Sequence, residues 1–134
     1  MASKSFADIV NAISSLALPN TFDFVVALAK GGIVPGFLVS EKLKLPLNVI
    51  WINFRDQNNT ISHPHPLLTK KIDFDFRNKN ILLVDDRVKT GSTFKYAIDL
   101  MAKAKEIKTF AVNGKADYSL YDEDCFTFPW KNIQ

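Results

Sequence analysis

Residues 81–93 constrain the fold most: Ile-Leu-Leu-Val-Asp-Asp-Arg-Val-Lys-Thr-Gly-Ser-Thr. Four consecutive apolar residues, Ile81 to Val84, read as a buried strand that runs directly into Asp85 and Asp86. Two acids at the end of a buried strand are costly unless something uses them. Beyond them, Thr90-Gly91-Ser92-Thr93 opens a helical pattern in which Phe94, Ala97, Ile98 and Met101 share a face. Hydroxyls and backbone N–H groups at a helix start make a phosphate cradle. Taken alone, the acids read equally as a turn cap beside a solvated carboxylate, and the hydroxyls as an ordinary N-cap. Both features within one strand-loop-helix describe a site for a phosphorylated sugar.

The rest of the chain repeats the strand-helix alternation. Phe6, Ile9, Val10, Ile13, Leu16 and Ala17 recur at helical spacing, with Ser3 or Ser5 as cap. Residues 22–29 read as a buried strand, Lys30-Gly31-Gly32 as a turn, and residues 33–44 as a helix with Pro35 in its first turn. A strand over 47–54 follows, then a long polar loop over 55–71. Residues 73–76 alternate as an edge strand, 80–86 form the acid-ending strand, 92–105 a helix and 107–113 a further strand. From Ala116 the tail reads as irregular. This order predicts a single α/β domain over residues 1–134, with a mainly parallel twisted sheet flanked by helices. Ligands of such sheets bind beyond the carboxyl ends of the strands, where both Lys30-Gly31-Gly32 and Asp85-Asp86 fall.

Composition excludes other classes. The formal net charge of +3, with no Lys/Arg run longer than two, does not argue for nucleic acid. No apolar run reaches the roughly 18 residues that span a bilayer. The lone Cys125 excludes an internal disulfide and fits a reducing compartment, so the expected location is the cytoplasm. His63-Pro64-His65 lacks an acid or cysteine at ligand spacing and reads as loop. Asp85 and Asp86 suit Mg²⁺, which prefers oxygen ligands and keeps its waters.

Residues 81–93 resemble the phosphoribosyl-pyrophosphate (PRPP) signature of the type I phosphoribosyltransferases, and residues 29–36 resemble that family's pyrophosphate loop. The resemblance implies transfer of the ribose 5-phosphate of PRPP to a nitrogenous base, with pyrophosphate leaving. It assigns Asp85 and Asp86 to the ribose hydroxyls and Mg²⁺, Lys89, Thr90, Gly91, Ser92 and Thr93 to the 5-phosphate, and Lys30, Gly31 and Gly32 to pyrophosphate. Residues 55–72 take the place of a mobile hood, and residues 114–134 that of a base-binding tail. The tail is similar to that of the small bacterial xanthine-guanine enzymes, which implies a purine base with Lys115 at its 6-oxygen and Phe126 against its ring. The family also implies a homodimer or higher homo-oligomer.

Three positions depart from the pattern. Lys89 stands where purine enzymes carry the catalytic Asp, Lys30 replaces an Arg, and Cys125 replaces a Trp. Lys89 is a poor base at neutral pH unless burial lowers its pKa, so it serves as a catalytic residue of altered base handling, as a phosphate ligand, or as a ligand of an acidic group on a non-purine substrate. Lys30 lacks bidentate phosphate geometry. The departures leave open a non-catalytic protein that binds PRPP or a nucleotide. A phosphotransfer domain built on a nucleophilic Asp leaves Thr90-Gly91-Ser92-Thr93 unexplained.

Overall fold

The computed structural model describes residues 3–53, 67–131 and 133. Its elements run α1 (Phe6–Ser15), β1 (Phe24–Ala29), α2 (Ile33–Leu43), β2 (Leu47–Asn53), β3 (Leu67–Leu68), β4 (Asn80–Arg87), α3 (Ser92–Leu100), β5 (Glu106–Asn113), β6 (Tyr118–Tyr121) and a 3₁₀ turn, Pro129–Lys131. One six-stranded sheet has the order β3-β2-β1-β4-β5-β6. All its pairings are parallel except β2–β3. The mainly parallel α/β fold is therefore as expected.

Alternate side chains of the central strands feed two cores. Val25, Leu82, Val84, Phe110 and Val112 face α1 and α2 with Ile9, Ile13 and Val39. Phe24, Val26, Leu28, Ile81 and Leu83 face α3 with Phe94, Ala97 and Met101. Every residue of β1 is buried, as two covered faces require. Helix α1 starts with a capping box: Ser5 Oγ accepts from Asp8 N at 3.0 Å, and Asp8 Oδ2 accepts from Ser5 N at 2.8 Å. Among the described residues, no helix is long and apolar enough to cross a membrane.

Three local expectations are corrected. Residues 73–76 do not form a strand; Phe74 packs edge-on against Phe24 and Phe76 at centroid distances of 5.7 and 6.4 Å. Their alternation records aromatic burial on a loop that Asp75 turns by accepting from Arg77 N and Nε. The edge strand is instead β3, paired with Ile52 and Asn53. Helix α3 ends at Leu100 rather than residue 105, closed by Met101. The tail from Ala116 is not irregular, because Tyr118–Tyr121 joins the sheet as β6, parallel to β5. The four-residue link between them doubles back because Asp117 Oδ2 accepts from Thr109 N at 2.8 Å and from its Oγ1 at 3.1 Å. Most of the expected hood, residues 55–66 of 55–72, lies outside the described residues.

Candidate functional site

The strand order places the site. From β1 the chain winds outward through β2, and from β4 it winds the other way through β5. The crevice where these directions diverge, beyond the carboxyl ends of β1 and β4, is where such sheets bind ligands. The loop after β1 carries Lys30, Gly31 and Gly32, joined to Ala29 by a cis peptide bond. The end of β4 carries Asp85 and Asp86, followed by the turn into α3.

These loops touch. A Cβ on Gly31 would fall 2.7 Å from Asp86 Cγ and 2.8 Å from its Oδ1, so only a hydrogen lets the first loop pass over that carboxylate. Asp86 Oδ1 accepts from Arg87 N at 2.7 Å, and Asp85 Oδ1 accepts from Asp86 N at 2.8 Å. Burial, reinforced by the charge of Asp86, pushes the Asp85 carboxyl well above its ordinary value; Lys131 opposes the shift. The pair is thus short of positive charge or hydrogen-bond donors, as a site for sugar hydroxyls or a cation would be. Among the described residues, no cluster of three His, Cys, Asp or Glu side chains exists, so a metal here would complete its shell with oxygens from water or a ligand. Two carboxylates on one strand end fit a largely hydrated Mg²⁺ of that kind.

The turn into α3 is shaped by short local contacts. Gly91 caps α3 in the left-handed region at φ 83°, with no side-chain cap bond. The hydroxyls of Thr90 and Ser92 bond each other at 3.0 Å, and Ser92 N donates to Thr90 Oγ1 at 3.2 Å. Residues 85–94 and Lys131 line a cavity of about 490 Å³. A second cavity, of about 310 Å³, opens between Leu28, Ala29, Gly31, Ile52 and Asn53 and shares Asp85, Asp86, Thr93 and Lys131 with the first.

The structure therefore brings together Gly31, Asp85, Asp86, Lys89, Thr90, Gly91, Ser92 and Thr93 as cavity-lining residues. Gly32 is buried beneath the first loop. Lys30 and Lys115 are exposed and line neither cavity. Phe126 is 2% exposed, makes T-shaped contacts with Tyr121 and Phe128, and lines neither cavity.

One residue of this site was missed in the sequence. Lys131 Nζ lies 2.6 Å from Asp86 Oδ2, an ion pair across the mouth of both cavities. The aromatic tail delivers it. Phe126 and Phe128 sit in the core, Trp130 stacks on Phe128 at 5.1 Å, and Lys131 N donates to Phe128 O at 3.0 Å. Arg87 at the end of β4 ties this tail down, donating from Nη2 to Phe126 O at 3.0 Å. No spacing signal links residue 131 to residue 86.

The phosphoribosyl transferase domain profile matches residues 3–133. The chain belongs to the phosphoribosyl transferase domain family. Within that family it is 40% identical over 62 residues to the bifunctional protein PyrR of Caldicellulosiruptor saccharolyticus, a match covering 46% of this chain and 34% of that one. It is 28% identical over 87 residues to the xanthine-guanine phosphoribosyltransferase of Idiomarina loihiensis, covering 65% and 53% respectively. These matches thus span a third to a half of the curated relatives' own length. The purine phosphoribosyltransferase of Pyrococcus horikoshii superposes with a TM-score of 0.80 at 26% identity, covering 99% of this chain and 95% of its own. The family resemblance of residues 29–36 and 81–93 is borne out at this level.

Proposed function

We propose that this phosphoribosyl transferase domain transfers ribose 5-phosphate from PRPP to a purine nitrogen, with Mg²⁺, and releases pyrophosphate. The observation that carries this reading is the pair of connected cavities sharing Asp85, Asp86 and Thr93. A phosphate cradle lies on one side of the carboxylates and a glycine loop on the other, the layout a ribose with phosphate at one end and pyrophosphate at the other requires. The match to a xanthine-guanine relative and the superposition on a purine enzyme support the choice of base.

Asp85 and Asp86 accept hydrogen bonds from the ribose hydroxyls and orient the ring; bonds to an ionised acceptor are about twice as strong as neutral ones. The N–H groups at the start of α3, with Thr90, Ser92 and Thr93, take the 5-phosphate. Backbone around Gly31 receives the pyrophosphate. The base nitrogen attacks the ribose C1 as the bond to the pyrophosphate oxygen breaks, and pyrophosphate leaves with the electron pair. Mg²⁺, held by Asp85 and Asp86 together with ligand oxygens, would neutralise the charge that grows on the leaving group. Lys115, exposed just beyond Gly114, which packs on Val88 of the cavity wall, is the donor for the purine oxygen. The protein acts in the cytoplasm as a homo-oligomer on this reading.

A second reading rests on Lys89. Its side chain is exposed in the turn that lines the larger cavity, where purine enzymes carry an acid. An ammonium there repels a base nitrogen gaining a proton, and suits a protein that binds PRPP or a nucleotide without turning it over. The two readings separate in one experiment. Pyrophosphate release is followed with PRPP, Mg²⁺ and guanine, xanthine, hypoxanthine or adenine, and PRPP binding is measured by calorimetry. Turnover with a purine supports the transferase. Binding without turnover on any of the four supports the sensor, and no PRPP binding at all sinks the transferase.

A further inference from the structure

The contact between Lys131 and Asp86 is unusual in its asymmetry. The Asp86 side chain is 8% exposed and the Lys131 side chain 54%. A buried carboxylate beside a second one needs a counter-charge, and a half-exposed lysine on a flexible stem supplies it without itself being desolvated. The ammonium is not delivered at random, since the tail that carries it is anchored by two buried phenylalanines, a stacked Trp130 and the Arg87 bond to Phe126 O. It also stands where the two cavities meet. In the smaller cavity, proposed for pyrophosphate, the charged lining residues among those described are Asp85, Asp86 and Lys131. Without Lys131 the described residues of that cavity would present two carboxylates, and nothing positive, to a multiply charged anion.

We infer that Lys131 is a built-in cation of the carboxylate pair: it holds the place beside Asp86 that a divalent ion otherwise takes, and it serves as counter-ion to the pyrophosphate of PRPP. This rests on the proposed function only for its second clause. Lys131 thus lowers the magnesium requirement for binding. Its three N–H donors let it keep the ion pair with Asp86 while turning toward the anion.

The test uses the whole chain and the variants K131Q, K131R and K131Q/D86N, each checked for an unchanged fold by thermal melting. Free Mn²⁺ is titrated into ligand-free protein and followed by electron paramagnetic resonance. K131Q should bind Mn²⁺ at least fivefold more tightly than wild type, because its competitor is gone. K131R should match wild type, and K131Q/D86N should lose the gain. Equal Mn²⁺ affinity in wild type and K131Q overturns the assignment. PRPP binding is then measured by calorimetry in EDTA and in saturating Mg²⁺. K131Q should bind at least fivefold more weakly than wild type in EDTA, with the gap closing in Mg²⁺. Equal or tighter PRPP binding by K131Q in EDTA overturns the counter-ion role. Wild type that ignores PRPP under all conditions refutes the proposed function, and Lys131 is then judged by the Mn²⁺ arm alone.

Discussion

Replacing Gly31 with alanine probes the joint between the two loops of the site. The added methyl would stand 2.7 Å from Asp86 Cγ and 2.8 Å from Oδ1, distances a carbon cannot hold. Gly31 does not occupy the left-handed region, so the effect comes through crowding alone. Asp86 must turn away, although Arg87 N holds it at 2.7 Å and Lys131 Nζ at 2.6 Å. Losing a hydrogen bond to a charged group costs about 1.5–3 kcal/mol. The ion pair adds at most about 1 kcal/mol, because half of Lys131 faces water. A net loss of about 2–3 kcal/mol lowers the melting temperature by about 8–12 °C at this chain length. On the proposed function the same displacement takes a carboxylate from the ribose hydroxyls, and about 2 kcal/mol corresponds to a roughly 30-fold weaker Kd for PRPP. Differential scanning fluorimetry and calorimetry read the two effects. G36A is the control: its methyl would lie 2.7 Å from Ala27 Cβ, in the packing of α2 on β1. It should cost about 1–3 kcal/mol of stability by overpacking and leave PRPP affinity unchanged. G31A binding PRPP within twofold of wild type would refute the reasoning, as would equal losses of affinity in both variants.

Three further outcomes are expected. Asp85 keeps its proton in the folded state to a pH well above 3.8, so the stability this adds is fully present below about 3.8 and is lost as pH rises through the raised value. D85N should therefore melt higher than wild type at pH 8, with the advantage shrinking toward pH 4, and melting curves across that range check the sign. D117A removes the acceptor that serves both Thr109 N and Thr109 Oγ1 beneath the β5–β6 link. It should lose about 2–4 kcal/mol in urea unfolding, with faster amide exchange along β6. K89D places an acid in the turn of the larger cavity, and on the transferase reading kcat/KM with guanine rises at least tenfold. An unchanged steady-state rate counts against a role for that position in base handling.

The parts of the fold that were legible in the sequence were those whose physics is local. β1 and β4 are continuous apolar runs that end at Gly31 or at paired acids. Pro35 and Gly91 marked helix starts because each solves a backbone problem at one residue. The shared cavity of Asp85, Asp86 and residues 90–93 followed from the same stretch, since neighbours in sequence remain neighbours in a strand-turn-helix. Contacts made by the tail were not legible. β6 was missed because parallel strands ordinarily need a crossover of a dozen or more residues, and here one Asp117–Thr109 interaction shortens the return to four. The alternation of Phe74 and Phe76 resembled a strand because burying two aromatics on a loop leaves the same period. Phe126 was read as a ring for a base, although the neighbours that bury it, Tyr121 and Phe128, flank it along the tail. Lys131 had no signal, because its partner is reached through packing and not through spacing.

The stack from Phe126 through Phe128 to Trp130 links the hydrophobic interior to the electrostatics of the cavity mouth. The ammonium beside Asp86 is only as well placed as the rings beneath it. Tail segments open before central strands do, so warming should withdraw this charge while the sheet is still intact. Ligand affinity would then decline below the unfolding transition, and a volume change as small as Phe128→Leu in the apolar layer would be felt as a change of charge at the site.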